Sequence, residues 1–231
     1  PKLVDGRKAV QVAYHLNLAT AKTIQAFRKG GYDKDGSRIG TVLNLTPTYA
    51  ASDQEDDQAA AHFAELWNNK MFLEPAIYGH FPEKLVQVLE KDGVLWQTEA
   101  EDEQLFKENT VDFLGVNFYH PNRVKAPDIS PNSVGDWVPS RYYDNYDMPG
   151  RRMNIDKGWE IYPKAIYDIA LNVRDNYKNI PWFVSENGMG VSREERFMDE
   201  HGQIQDDYRI NFIQEHLEWL HLSLIHISEP T

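Results

Sequence analysis

Three short apolar segments, at 39–45 (IGTVLNL), 111–119 (VDFLGVNFY) and 180–185 (IPWFVS), constrain this chain more than any other feature. Each is rich in β-branched and aromatic residues and too apolar to leave one face in water. Stretches with helical spacing separate them. Buried strands that alternate with helices form parallel βα units, because a parallel return needs a long crossover. Two architectures satisfy that pattern, the doubly wound sheet and the (β/α)8 barrel. No glycine-rich dinucleotide fingerprint follows any of the three strands, which weighs against the first. The expected fold class is therefore α/β, with a (β/α)8 TIM barrel favoured over the doubly wound sheet. A barrel needs eight strands and usually about 250 residues. Three strands are visible in 231 residues, so the barrel is expected to be truncated.

The helical stretches carry their own punctuation. Val10, Ala13, Ala21 and Ile24 recur at helical spacing across 7–29, and Gly30-Gly31 stops that helix. Ser52-x-x-Glu55 reads as a capping box opening a second helix to about residue 68. Pro82 in a first helical position and Gly93 in a C-terminal cap position bound a third, at 82–92. A long loop rich in Pro, Asn, Asp and Tyr then follows the second strand to about residue 162. Pro163 opens a helix to about 177. The last helix, 206–220, shows an apolar stripe of Ile210, Phe212, Ile213, Leu217 and Leu220.

Charge narrows the functional classes. Acidic residues outnumber basic ones by 36 to 24, and the net charge of -12 repels phosphate backbones and anionic lipid. Neither a nucleic-acid partner nor a membrane-surface role is expected. No apolar run of about 18 residues exists. The absence of cysteine excludes disulfide and thiolate chemistry and is compatible with a reducing compartment. Pro1-Lys2-Leu3-Val4-Asp5-Gly6 reads like the middle of a loop, with neither initiator methionine nor signal pattern, so a fragment is expected. Residues 222–231 (LSLIHISEPT) look like the translation of a transposon-end adaptor used in sequencing-library preparation. They are left out of the fold and function reasoning.

In a parallel barrel the chemistry sits at the C-terminal ends of the strands. The third strand ends in Ser185-Glu186-Asn187-Gly188-Met189-Gly190. A carboxylate there is costly unless partnered. Glu186 is thus a candidate functional group, or it caps the next helix or faces water. Gly115, Asn117 and Tyr119 share one face of the second strand, the one toward the barrel interior. There Asn117 and Tyr119 would hydrogen-bond a substrate or a carboxylate; a structural tyrosine bonded to backbone is equally compatible. Histidines 15, 62, 80, 120, 201 and 216 show no metal-ligand spacing, and His120 is the least ordinary of them because it follows Tyr119. The acidic run 53–57 reads as a solvated helix start. Neither a G-x-S-x-G elbow nor a P-loop is present.

These pieces resemble glycoside hydrolase family 1, the retaining β-glycosidases on a (β/α)8 barrel. The likeness lies in DFLGVNFYHPNRVKAP (112–127), GWEIYP (158–163), WFVSENGMG (182–190) and DDYRINFIQEHL (206–217), in the family's order across nearly all of 1–221. It implies that Glu186 is the catalytic nucleophile and that Tyr119 orients it and contacts the sugar ring. Asn117 would be the neighbouring polar residue at the strand end, and Trp159 an aromatic lining the aglycone side. It implies no metal and no cofactor. The chain would hold about strands 5 to 7, with 1–221 the C-terminal part of a single barrel domain and 222–231 foreign to it.

Segments 183–191 and 119–127 look most like the 6-phospho-β-glucosidases of bacterial sugar uptake. This implies a cytoplasmic enzyme acting on small 6-phosphorylated β-glucosides such as phosphorylated cellobiose, and leaves homo-oligomer formation open. The family's general acid/base is a glutamate in Asn-Glu-Pro, which the likeness places upstream of Pro1. Glu74-Pro75 lacks the preceding Asn and lies in the wrong place, so it is not assigned. The phosphate-reading Ser, Lys and Tyr would fall after residue 221. The 231-residue chain alone is accordingly expected to be inactive and aggregation-prone. The alternatives are a β-glucosidase or β-galactosidase acting on free sugars, and a non-catalytic carbohydrate-binding barrel, against which Glu186 in its full motif argues.

Overall fold

A computed structural model describes residues 5–128 and 137–228. From the N-terminus come helix α1 (Gly6–Lys29) and strands β1 (Gly40–Asn44) and β2 (Thr48–Ala50). Helices α2 (Glu55–Glu65) and α3 (Met71–Tyr78) follow, joined by a π turn (Leu66–Lys70), and then α4 (Glu83–Lys91) and α5 (Asp102–Glu108). Strands β3 (Phe113–Asn117), β4 (Asn122–Lys125), β5 (Asp144–Asn145), β6 (Met153–Asn154) and β7 (Trp159–Glu160) lead to helix α6 (Lys164–Asn176). Strand β8 (Trp182–Glu186) and helix α7 (Asp207–Ser228) close the chain.

The three apolar segments form one parallel sheet in the order β1-β3-β8. Side chains alternate along β3, so Leu114, Val116 and Phe118 all turn to the helix layer, and none has any exposed surface. There they pack with Leu73 and Ile77 of α3 and Ile166, Ile169 and Val173 of α6. Burying each such side chain contributes about 1.5–3 kcal/mol. On the opposite face Val42 and Phe183 are about half exposed. A second apolar cluster, with Val10, Tyr14, Phe63, Leu85, Trp96 and Phe106, ties α1 to α2, α4 and α5.

Two smaller sheets draw four of their five strands, β4 to β7, from the segment read as a long loop, and β2 from the stretch after β1. Strand β2 pairs parallel with β4, and β5 antiparallel with β4; β6 and β7 form a hairpin. Strands of two to four residues are too short to show a period, which is why the sequence reading saw loop there. The part of that loop at 129–136 lies outside the described residues.

The helix boundaries differ instructively from expectation. The capping box at Ser52 does not form, since the N-cap falls at Gln54, whose backbone is extended. Ser52 Oγ instead accepts from Gln54 N (3.2 Å) and donates to Asp57 (2.5 Å). The helix expected to end near 68 continues through the π turn into α3, despite Pro75. A helical proline leaves the carbonyl four residues earlier without its donor. Here that carbonyl, Met71 O, accepts from the buried Asn17 side chain of α1 instead (3.2 Å). Pro82 is the N-cap of α4 rather than its first residue, and α5 carries no signal that the sequence reading used.

The stripe assigned to the last helix also needs correction. In α7, Phe212 and His216 are buried, whereas Ile210, Ile213 and Leu217 are exposed. The helix has two apolar faces, and the one carrying Phe212 meets the sheet, with His216 against the Phe118 ring (5.7 Å). The helix also runs past 220 to Ser228. In that extension the fully buried position falls to Ser223, while Leu222 and Leu224 face out.

Two left-handed glycines give a comparative test. Gly93 (φ 68°) ends α4 in open space, whereas at Gly79 (φ 73°) a Cβ would lie 2.6 Å from the Phe106 carbonyl oxygen. Gly93→Ala is expected to cost about 1–2 kcal/mol from its backbone alone, and Gly79→Ala distinctly more. Thermal melting of the two variants should show the larger fall in Tm for Gly79→Ala.

Candidate active site

Parallel register brings three polar strand ends side by side. Asn44 of β1 lies opposite Asn117 of β3, which lies opposite Glu186 of β8. The β3–β8 register shifts by one residue between Val116 and Asn117. Without that bulge Ser185 would stand across from Asn117. With it, both consecutive residues reach the end of β3: Ser185 Oγ donates to Asn117 Oδ1 (2.7 Å), and the Tyr119 hydroxyl donates to the Glu186 carboxylate.

The backbone around Glu186 is held from β3 as well. Phe118 N donates to Glu186 O (2.9 Å), and the Asn187 side-chain amide donates to Phe118 O (2.8 Å). Gly115 leaves room for this approach, because a Cβ there would come within 3.1 Å of Ser185 Oγ. The sequence-predicted pair, Tyr119 and Glu186, is thus in direct contact, with Asn117 beside it.

Trp159 joins them from the β6–β7 hairpin. Its ring lies 5.5 Å from that of Tyr119 and 5.0 Å from that of His120. The result is an exposed carboxylate with an aromatic wall on one side. Glu186 is the only carboxylate among residues 44–47, 117–119 and 185–187 at the three strand ends. Glu74-Pro75 lies elsewhere, on α3 in the helix layer, and Ala76 of the same turn accepts from Val111, ahead of β3. Burial pushes the Glu74 carboxyl above its usual range.

Of histidines 15, 62, 80, 120, 201 and 216, His15, His62, His80 and His201 are exposed. His216 is buried, its Nδ1 against the Phe212 carbonyl (2.6 Å), and burial lowers its pKa. His120 alone borders the site. Among the described residues no cluster of three His, Cys, Asp or Glu side chains could hold a metal ion.

Asn44, Ser185, Arg123 and Glu160 escaped the sequence reading. Asn44 ends the first strand as Asn117 ends the second, and that parallel was a usable signal. Arg123 and Glu160 are 37 residues apart, and nothing local pairs them.

A match to the family model of glycosyl hydrolase family 1 covers residues 1–228. The chain belongs to that family. It is 50% identical over 224 residues to the 6-phospho-beta-glucosidase GmuD of Bacillus subtilis, covering 97% of this chain and 48% of that protein. It is 30% identical to a 6-phospho-beta-galactosidase of Clostridium acetobutylicum, covering 93% of this chain and 47% of that one. The fold superposes on a family 1 β-glucosidase from Thermotoga maritima with a TM-score of 0.75 and 26% identity, over 96% of this chain and 46% of that one. The chain spans about half the length of the curated relatives it matches. The three-stranded parallel sheet with its helices is therefore part of the (β/α)8 barrel of family 1. Tyr119, Asn117 and Glu186 lie at the strand ends where such barrels carry out their chemistry.

Donation to Glu186, helped by burial and by the carboxylate charge, holds the Tyr119 phenol above its usual pKa of 10.0. With the folded value raised, the contact is fully present below pH 10.0 and is lost as the pH rises through the shifted value. Ultraviolet titration of the wild type against Tyr119→Phe should isolate one phenol ionising above pH 10.0, and Glu186→Gln should bring that step back down toward it. A wild-type step at or below 10.0 would contradict the contact.

Proposed function

We propose that this chain is the nucleophile-bearing part of a retaining β-glycosidase, and that the whole enzyme hydrolyses 6-phospho-β-glucosides. The observation that carries the reading is the Tyr119 hydroxyl on the Glu186 carboxylate, at the end of a buried parallel strand. The hydroxyl orients the carboxylate and stabilises its charge while leaving one oxygen for attack. Ionised Glu186 displaces the aglycone oxygen at the anomeric carbon and forms a glycosyl ester. An acid partner about 5–5.5 Å away protonates the departing oxygen, then takes a proton from the water that cleaves the ester. That partner is the glutamate of the family's Asn-Glu-Pro motif, which residues 44–47, 117–119 and 185–187 do not supply. Asn117 lines the sugar side, and Trp159 stacks against the aglycone.

The preference for phosphorylated sugar rests on the 50% identity to the Bacillus subtilis 6-phospho-beta-glucosidase. A cytoplasmic enzyme fits that substrate, since sugars phosphorylated on import are met inside the cell. No helix among the described residues is long and apolar enough to cross a membrane. Residues 1–221 are proposed as barrel sequence and 222–231 as foreign to it.

Trapping of the whole enzyme with a 2-deoxy-2-fluoro-β-glucoside 6-phosphate should label the peptide that holds Glu186. Glu186→Gln should lower kcat by about a thousandfold or more. p-Nitrophenyl 6-phospho-β-glucoside should be preferred over its unphosphorylated analogue by at least about a hundredfold in kcat/KM. Equal rates on the two would favour a glucosidase of free sugars, and no label at Glu186 would remove the nucleophile assignment.

A further inference from the structure

Trp159 is carried on a hairpin that cannot hold itself. Strands β6 and β7 pair through only Met153↔Glu160 and Asn154↔Trp159, and an isolated hairpin is marginal in water even when longer. Adjacent residues of a strand point to opposite faces, and a one-residue slip exchanges them. Which face Trp159 presents therefore depends on where Glu160 is held, alongside the bond from buried Asn154, the partner of Trp159, to Gly190 O (2.9 Å).

Glu160 is held by a buried ion pair. Its carboxylate accepts from Arg123 Nε (2.7 Å) and Nη2 (2.8 Å), and the two side chains are only 5% and 11% exposed. The guanidinium lies against the rings of both Tyr49 (5.2 Å) and Tyr162 (5.0 Å), which themselves meet edge to face. Arg123 belongs to β4, where it stands opposite Tyr49 of β2, and its carbonyl accepts from Tyr146 N (2.8 Å). The Tyr49 hydroxyl donates to Asp168 of α6 (2.5 Å), which also receives Lys164 (2.5 Å). The pair thus ties the hairpin to the β2–β4–β5 sheet, and through Tyr49 to the helix layer. A buried ion pair adds little net stability over an apolar pair of similar volume, and its best-attested use is to fix register.

We infer that the Arg123–Glu160 pair is a positioning device that sets aglycone specificity, by fixing the hairpin register so that Trp159 faces Tyr119 and His120. This rests on the glycosidase reading above. It adds a determinant that touches no substrate atom and acts through one aromatic side chain.

The test compares two substrates of the whole enzyme that differ only in aglycone, p-nitrophenyl 6-phospho-β-glucoside and 6-phospho-β-glucosyl fluoride. The fluoride offers Trp159 nothing to stack on. Trp159→Ala and Glu160→Gln should each lower the ratio of kcat/KM for the aryl substrate over the fluoride by about tenfold. The double variant should fall no further in that ratio than Trp159→Ala alone, since both changes remove one contact. Glu160→Gln leaves Arg123 buried without its partner, so the paired change Arg123→Met with Glu160→Gln serves if the single variant does not fold; the same loss of ratio is expected. Equal losses on both substrates, or additive effects of Trp159 and Glu160, overturn the inference and leave the glycosidase reading intact. A wild-type enzyme that hydrolyses neither substrate overturns the glycosidase reading and this inference with it.

Discussion

A phenol donating its proton to a carboxylate at the mouth of a parallel sheet depends on strand register before it depends on either side chain. β8 must run beside β3 in the same direction, and must gain one residue just before their common end. The apolar residues Leu114, Val116 and Phe118 enforce the first condition by burying themselves completely on the helix-facing side. The bulge at Val116/Asn117 supplies the second, and it brings Ser185 and Glu186 to Asn117 and Tyr119 respectively. Packing on one face of the sheet thus determines the chemistry available at its end.

Beyond the strand ends, the chain builds a second tier from elements too short to be stable alone. The β2–β4–β5 sheet grows from the segments leaving β1 and β3, and α2 is tied to it by Asp57, whose carboxylate accepts from Ala126 N (2.8 Å). The hairpin bearing Trp159 is fastened to the segment following β8 as well, where the Asn154 amide donates to Gly190 O (2.9 Å). The aromatic wall and the carboxylate are therefore positioned by one connected framework. On the outer flanks, Val12 and Leu16 of α1 and Ile210, Ile213 and Leu217 of α7 remain exposed, as do Val42 and Phe183 inside. β1 and β8 each have one neighbour in the described sheet, and a closed barrel would give each a second.

The parallel sheet, and Tyr119 and Glu186 as separate candidates, were legible in the sequence because their signals are local, whereas their pairing across 67 residues was implied only by the family resemblance. An apolar run followed at once by a polar group needs no knowledge of the rest of the chain. What escaped depends on distant partners. Pro75 reads as a helix breaker until Asn17 is seen bonding the carbonyl it leaves free. Ser52 and Glu55 match a capping box, yet the tertiary bond from Ala126 to Asp57 favours a start two residues later. Helix α7 offers two apolar stripes, and its amphipathicity cannot tell which meets the sheet. Arg123 and Glu160 look like ordinary surface charges until folding buries them together.

The stereochemistry of the product probes the nucleophile most directly. In the whole enzyme, proton NMR of the first-formed sugar distinguishes a covalent ester on Glu186 from direct attack by water. Two displacements return the β-anomer, which mutarotates only afterwards. The account predicts that β-anomer as the first signal; an initial α-anomer would contradict it.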